Sequence, residues 1–342
     1  FCVVPFTRGP EGSRPPRHIV EEARRLADHG CREITLLGQT VNSYAYREDG
    51  RLVRLPDLLV RVHDIGGIER IRFVTSFPGD FSTDILQAMR DLPKVCEYLH
   101  IPAQSGSDAV LRRMRRSYTV GQYLELVEQA RGTVPQIALA GDFIVGFCGE
   151  TEQDFALSAE LLERVRYKNI FCFKYSARPG TVADRLFADD VPDEVKRRRN
   201  NELLAIQRRI SLEDNQRLIG TTVEVLVEGY SKAAIRVQRA EQERGHEVAR
   251  PARPTGRADP RPSSQSDAGL PCAGPTQPAS RTQSAVGQIS VRSGRQLTGR
   301  TRQDHIVVFE GDESLIGRFV HVAIHGATPL TLHGTVVGLA ER

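Results

Sequence analysis

Apolar residues follow two alternating spacings along the first half of the chain. Five short apolar runs have the character of buried strands, and stretches with hydrophobic residues at helical spacing separate them. The strand-like runs are residues 33–38, 70–76, 97–102, 137–147 and 169–175. Helical spacing is found at 17–30, 55–65, 82–90, 120–132 and 150–165. Such alternation is typical of parallel strands joined by helical crossovers.

The number of these repeats favours one kind of α/β fold. Five strands, with one more expected before Cys2, give six strand–helix units. Six units suit a partial (β/α)6 barrel better than the complete eight-stranded barrel. We therefore predict a partial barrel over residues 1–190, with its first strand missing from the chain. Its functional residues are expected where the parallel strands end.

The second half of the chain has a different pattern. Residues 192–218 have the spacing of one long, basic, amphipathic helix, with Leu203, Ile206 and Ile210 on one face. We predict that residues 191–218 form a linker helix. Strand character returns at 221–227, 305–309, 318–324 and 330–337, with turn signals between the runs. These runs predict a small all-β barrel over residues 219–342.

One segment interrupts the predicted β-domain. Residues 236–295 contain seven Pro, much Ser, Gln and Arg, and no aromatic residue. Such a composition buries too little apolar surface to order the backbone, so we predict a disordered insertion. The cost of closing a loop grows slowly with its length, and a small β-domain can tolerate one this long. A true linker between two domains is the alternative.

The basic charge of the chain comes from the same segment. Ten Arg and five acidic residues between Arg236 and Arg295 contribute +5 to a net charge of +4, which leaves −1 for the rest. The overall charge is therefore no sign of a basic binding face. No apolar run approaches the ~20 residues that span a bilayer, so no membrane association is expected. Six scattered Cys without a C-x-x-C pair fit neither a disulfide framework nor a complete metal site, which predicts a reducing, cytoplasmic location.

The first residues of the chain resemble part of a known motif. FCVVPFTRG at residues 1–9, followed by Glu11 and by SRP at 13–15, is similar to the end of a C-x3-C-x2-C cluster loop. That loop is found in the radical S-adenosylmethionine methylthiotransferases, and the similarity is closest to the tRNA-modifying MiaB type. It continues through LLGQTVNSY (36–44), TSFPGDF (75–81), LHIPAQSGS (99–107), MRRSY (114–118), DFIVGFCGET (142–151), FKYSARPGT (173–181) and GRTRQDHIVVF (299–309). The last motif resembles the family's C-terminal TRAM domain. Eight motifs in order are far more specific than any one alone.

The resemblance implies an enzyme of the transferase class. In such enzymes a 4Fe-4S cluster at the rim of the barrel binds S-adenosylmethionine and cleaves it to a 5′-deoxyadenosyl radical. That radical removes a hydrogen from carbon 2 of N(6)-isopentenyladenosine at position 37 of tRNA, and a methylthio group is then built there. The implied partners are tRNA and an electron donor such as flavodoxin or ferredoxin, with the protein a monomer. A further N-terminal domain, absent from this chain, would carry an auxiliary 4Fe-4S cluster.

The resemblance also implies which residues hold the cofactors. Cys2 would be a ligand of the cluster. The residues expected around S-adenosylmethionine are Gly38, Gln39 and Asn42 after the first strand, Gln104 and Ser105 after the third, Arg116, and Gly146 after the fourth. Glycine permits close approach of a cofactor, and a guanidinium grips a carboxylate with two hydrogen bonds. Structural alternatives stay open, since the two glycines could merely form turns and Arg116 could be a surface charge.

Binding of RNA by the β-domain is expected to use four residues. Lys232, Arg300, Arg302 and His305 are the candidate phosphate contacts. The charge pattern adds little support, because residues 296–342 contain four Arg and five acidic residues.

Two other functions are also consistent with the sequence. One is another methylthiotransferase branch, which acts on a ribosomal-protein aspartate or on threonylcarbamoyl adenosine, although Glu11 ahead of Ser13 favours the isopentenyladenosine branch. The other is a non-catalytic tRNA-binding remnant. With one of three cluster cysteines present, we expect this chain to be unable to hold its cluster stably and to be inactive by itself.

Overall fold

Five parallel strands organise the first part of the computed structural model, which describes residues 1–248 and 296–340. In chain order they are β1 (Glu33–Leu37), β4 (Arg70–Val74), β5 (Tyr98–His100), β6 (Ala138–Val145) and β7 (Asn169–Lys174). β1 pairs with β4, and β5, β6 and β7 pair in that order, all in parallel. A parallel bridge between Ile71 and Val95 links the two groups. Each strand coincides with one of the five predicted strand-like runs.

Helices cover one face of these strands. They are α1 (Val4–Arg8), α2 (Pro16–Asp28), α3 (Leu55–His63), α4 (Thr83–Asp91), α5 (Asp108–Arg113), α6 (Val120–Thr133), α7 (Glu152–Val165), α8 (Val182–Leu186) and α9 (Asp193–Gln216). Capping boxes at Thr119 and Thr151 fix the starts of α6 and α7 by satisfying free backbone N–H groups. A short antiparallel hairpin, β2 (Ala45–Glu48) and β3 (Arg51–Arg54), precedes α3.

The hydrophobic core lies between strands and helices. Because side chains alternate along a strand, every second residue points into this core, including Ile71, Leu99 and Phe143. The intervening residues point to the opposite side, which we call the inner face: Leu37 on β1, Val74 on β4, His100 on β5, Asp142 and Ile144 on β6, and Phe171 and Phe173 on β7.

The last five strands form a small closed barrel. They are β8 (Thr222–Tyr230), β9 (Gln296–Arg300), β10 (Ile306–Glu310), β11 (Phe319–Ala327) and β12 (Thr331–Leu339), in the spatial order β10–β12–β11–β8–β9. Its core holds the alternate apolar residues Val225, Val307, Val320 and Leu332, all fully buried. The predicted α/β fold class, a partial parallel barrel followed by a small β-barrel, is confirmed. The α9 helix occupies the predicted linker.

The β-barrel docks at the amino-terminal end of the parallel strands. Buried Arg70 at the start of β4 donates from Nη1 to the carbonyl of Arg300 (2.8 Å). Arg72 donates to the carbonyls of Thr301 (2.6 Å) and Arg302 (2.9 Å). The turn at residues 301–305, which we call the docking turn, therefore closes the end of the inner face that lies opposite the expected site.

Residues 230–296 form a second compact unit, of which residues 230–248 and Gln296 are described. It contains α10 (Lys232–Val248), which begins where the Ser231 hydroxyl accepts from the Ala234 N–H (3.1 Å). Residues 236–248, which lie within the predicted insertion, are thus helical. The remainder of that insertion, 249–295, lies outside the described residues. No helix in the described ranges is long and apolar enough to cross a membrane.

Candidate active site

The carboxyl ends of the parallel strands carry the predicted site residues and two strained backbone positions. Thr75 after β4 has φ 70° and Gln104 after β5 has φ 68°. Left-handed backbone at residues other than glycine costs about 1–3 kcal/mol each and concentrates at functional sites. Gln104 donates its N–H to the carbonyl of Asp142 (2.8 Å) and accepts from Ile144 N–H (2.9 Å). Its position is thereby locked to β6.

Cys2 lies at this end of the strands with an exposed thiol. Its neighbour Phe1 meets Phe147 edge to face, with ring centroids 6.1 Å apart. The guanidinium of Arg116 lies over Phe1 (5.0 Å) and over Phe77 (5.8 Å). Arg116 Nε is buried and has no hydrogen-bond partner among the described residues. The structure thus brings Cys2, Arg116 and the turn after β6 together.

Gly38 and Gln39 line a large cavity. Its volume is about 820 Å³, and residues 8–14 of the cluster-loop motif form its opposite wall. A Cβ on Gly38 would lie 3.3 Å from Val41 Cα, so a side chain there would crowd the turn. Gln39 is exposed. Both residues therefore face open space of the size that a nucleoside ligand needs.

Asn42 and Ser105 are engaged in internal hydrogen bonds. Asn42 donates to the carbonyls of Phe77 (3.1 Å) and Asp80 (3.2 Å) and accepts from Phe77 N–H (2.7 Å). The Ser105 hydroxyl accepts from Ser107 N–H (3.2 Å) and is almost fully buried. These contacts tie neighbouring loops together. A cofactor role for either residue stays a prediction.

Gly146 ends β6 in the left-handed region, at φ 72°. A Cβ there would overlap the Lys196 side chain of α9, so the close approach that requires glycine is to a helix. Its N–H donates to Glu150 Oε2 (2.5 Å), which also accepts from Arg199 Nη1 (2.7 Å). Burial raises the pKa of Glu150, while these two donors act in the opposite direction. The Glu150–Arg199 pair thus fixes the turn after β6 to α9.

Two protein-family models match parts of this chain. A Radical SAM superfamily model matches residues 1–162, and a TRAM domain model matches residues 286–337. The chain thus contains a radical SAM domain followed by a TRAM domain. The resemblance on which the sequence interpretation rests, in both its radical SAM and its TRAM part, is confirmed.

Eight curated relatives of the chain share one name. Over 336 residues the chain is 47% identical to a tRNA-2-methylthio-N(6)-dimethylallyladenosine synthase of Rhodopirellula baltica, a match that covers 98% of the chain and 60% of the relative. Relatives with the same name from Thermoanaerobacter sp. strain X514 and Porphyromonas gingivalis strain W83 are 40% and 39% identical over 337 residues, which are 98% of the chain and 59% and 60% of those relatives. The chain spans about 60% of the length of the curated relatives it matches.

The radical SAM resemblance implies a 4Fe-4S cluster, and the described residues supply one thiolate for it. Cys2 is exposed at the expected end of the strands. No group of three or more His, Cys, Asp or Glu side chains within 1–248 and 296–340 could hold a metal. A cluster of this type needs at least three protein thiolates. The ligand set in the described residues therefore does not fit a cluster by itself.

Three of the four predicted RNA contacts have partners inside the protein. Arg300 pairs with Asp304 (2.7 Å), and Arg302 donates to both carboxylate oxygens of Glu97 (2.7–3.0 Å). His305 lies beside Thr301, at 3.4 Å between Nδ1 and Oγ1. Lys232 begins α10, in the second unit. RNA contact by any of them stays a prediction, and the docking turn has a structural role that the sequence did not indicate.

The inner face holds residues that were not among the predicted site residues. His100 Nε2 lies 2.9 Å from Asp142 Oδ1, and the His100 ring meets Phe171 edge to face at 6.0 Å. Phe171 and Phe173 expose about half of their surface. The available signal was the spacing of two along β7, which places both rings on one face. The sequence alone did not show whether this face packs against the helices or belongs to the inner face, because that depends on the tertiary fold.

Proposed function

We propose that this protein, as a radical SAM enzyme, transfers a methylthio group to carbon 2 of N(6)-isopentenyladenosine at position 37 of tRNA. The observation that carries the proposal is 47% identity over 98% of the chain to a relative named for this product. When bound, a 4Fe-4S cluster with S-adenosylmethionine supplies radical chemistry. An electron donor such as flavodoxin or ferredoxin, an auxiliary cluster, a monomeric state and a cytoplasmic location belong to the same proposal.

The part of this chain is to position ligands at the carboxyl ends of the strands. Gly38 and Gln39 on the large cavity, Gln104 held by β6, and Arg116 with its unpartnered Nε are the residues best placed to contact S-adenosylmethionine. Rigid strand ends suit a reaction that depends on close, fixed geometry. Cys2 would supply one cluster thiolate.

The inner face favours an isopentenyl substrate over the two rival substrates. Threonylcarbamoyl adenosine and a protein aspartate both carry a carboxylate, and binding one requires a cation or strong donors. The cations on the inner side of β1 and β4–β7, Arg70 and Arg72, are nearly buried and already paired with Glu224 and Glu33. An uncharged alkenyl group needs no such partner.

Nucleoside analysis of tRNA from a strain without the gene tests the proposal. We expect loss of the methylthio form and accumulation of isopentenyladenosine, restored by the gene and not by its Cys2→Ser variant. Loss of a methylthio group from threonylcarbamoyl adenosine or from a ribosomal-protein aspartate instead would establish a rival branch. Unchanged nucleosides and ribosomal proteins would indicate a non-catalytic protein.

A further inference from the structure

Two aromatic side chains on the inner face are exposed to an unusual degree. Phe171 and Phe173 are 51% and 54% exposed, although Ile170 in the same strand is buried. The register of β6 and β7 pairs Phe171 with Asp142 and Phe173 with Ile144, so these four side chains share one face. Adjacent exposed aromatic rings on a sheet surface mark a binding surface more often than a bare solvent contact.

Described contacts define what lies at each end of this surface. The docking turn blocks its amino-terminal end through the hydrogen bonds of Arg72 to Thr301 and Arg302. At the other end lies the turn that carries Gln104, whose backbone is hydrogen-bonded to Asp142 and Ile144. Because Phe171 and Phe173 pair with Asp142 and Ile144, the two rings lie at the same end of the strands as Gln104.

The charges near Phe171 and Phe173 disfavour the binding of an anionic group. Arg70 and Arg72 are 0% and 5% exposed and lie at the blocked end. Asp142, with its side chain 25% exposed and close to His100, is the cross-strand neighbour of Phe171. An anionic group beside Phe171 would therefore meet a carboxylate and no free cation on these strands, whereas a hydrocarbon group would gain contact with both rings.

We propose that Phe171 and Phe173 hold the branched alkenyl group of the prenylated adenosine and thereby determine the preference of the protein for prenylated RNA. This inference rests on the proposed function and adds the residues that set its specificity. The His100–Asp142 pair supports the ring of Phe171 from one side.

Binding of three RNAs to the protein as its gene encodes it tests this proposal. The probes are anticodon stem-loops whose adenosine is unmodified, isopentenylated or threonylcarbamoylated, measured by fluorescence anisotropy. We expect the wild type to bind the isopentenylated RNA about 10- to 100-fold more tightly than the unmodified one, as burial of a five-carbon group allows. Phe171→Ala and Phe173→Ala should each reduce that ratio about tenfold or abolish it, with affinity for unmodified RNA unchanged.

Matched variants separate specificity from folding. Leu157→Ala on α7, which truncates a side chain of similar exposure (42%), should leave the ratio intact. Phe173→Leu keeps an apolar side chain and should retain most of the preference, which tests the idea even if an Ala variant does not fold. Phe173→Lys should raise affinity for the threonylcarbamoylated RNA relative to the wild type.

The binding ratios distinguish failure of the proposed substrate from failure of the role proposed for Phe171 and Phe173. A wild type without preference for isopentenylated RNA would overturn the proposed substrate itself. A wild type with that preference, together with Phe variants of unchanged ratio, would overturn only the role of the two rings. Equal loss of affinity for both RNAs would show that the rings act on structure, and would also overturn it.

Discussion

His305 in the docking turn gives the protein a titratable group with a displaced pKa. Burial, with a smaller contribution from nearby Lys168, lowers the pKa of His305 to about 4. The other charges that face it are Asp304 and Asp214, which act in the opposite direction. The native state therefore keeps this imidazole neutral at pH values where the unfolded chain, with a pKa near 6.5, is protonated.

The lowered pKa of His305 makes the folded protein less stable as the pH falls. Between pH 6.5 and 4 the unfolded state binds the extra proton, so the free energy of unfolding falls as the pH falls, by at most about 3 kcal/mol. His305→Asn should remove this part of the acid sensitivity. Urea unfolding of the wild type and of the His305→Asn variant at pH 7, 5.5 and 4.5 measures the contribution of His305 to the free energy of unfolding. The other groups titrate equally in the two proteins. Parallel pH profiles would contradict the prediction.

Residue types were easier to predict from the sequence than their partners. Gly38 follows β1 and Gln104 follows β5, as the motifs predict, whereas Arg116 follows helix α5, and the cofactor roles of all three stay predictions. The motifs did not show that Arg302 meets Glu97, because those residues are some 200 positions apart and no local pattern links them. Polar side chains look alike in a sequence whether they bind a ligand or another loop.

At the scale of elements, α7 supports the turn that carries Gln104. The hydroxyl of Ser158 accepts from Gly106 N–H (2.8 Å), and Ser107 donates to Asp154 (2.5 Å). A Cβ on Gly106 would overlap the carbonyl of Leu157. The turn and the helix backbone are therefore in direct contact, and glycine is the residue that fits.

Gly106→Ala should consequently displace the turn from α7. We expect a loss of about 2–4 kcal/mol in the free energy of unfolding, since backbone and not a flexible side chain must move. Gly132→Ala in α6 is the matched control, because nothing lies within 4 Å of its Cβ position. That control should be neutral or stabilising by up to about 1 kcal/mol. Equal midpoints in urea for both variants would refute the predicted contact.

The elements that the sequence missed lack a periodic apolar signal. The hairpin of β2 and β3 is largely polar and buries only Val53, so no alternation marked it. Helix α1 lies in the loop-like motif and has five residues. Helix α10 extends from Lys232 into a segment whose average composition indicates disorder, and that average concealed the helical residues at its start. The five parallel strands, by contrast, are apolar and bounded by turn residues, which is the pattern that sequence interpretation detects best.

At the scale of the molecule, the two ends of the parallel strands differ in what lies against them. The predicted cofactor residues lie at the carboxyl ends, whereas the β-barrel is fixed at the amino-terminal ends. Arg70 there is fully buried, donates to the Glu224 side chain (2.9 Å) and lies 4.7 Å from the ring centre of Phe319. The predicted cofactor site and the contact between the two barrels therefore lie at opposite ends of the parallel strands.

This arrangement predicts that the two barrels unfold together and that one ion pair contributes strongly to their coupling. Arg302 grips Glu97 with side chains about one-fifth exposed and also donates to the carbonyl of Val95 (2.6 Å). Arg302→Ala should lower the free energy of unfolding by about 2–3 kcal/mol, because it leaves Glu97 without its charged partner. Arg302→Lys should recover only part of this, since an ammonium cannot replace the planar fork.

A double-mutant cycle with Glu97→Ala isolates the pair. We expect the double variant to be about 1–2 kcal/mol more stable than additive losses would give, because the two single changes remove the same interaction. Far-UV circular dichroism in urea should show one transition for the wild type and two for the double variant, as the β-barrel is released. Arg318→Ala, an exposed side chain on the β-barrel, serves as the control and should keep a single transition. Strict additivity with one transition in every variant would mean that the ion pair does not couple the barrels, and that the buried contacts of Arg70 and Arg72 suffice.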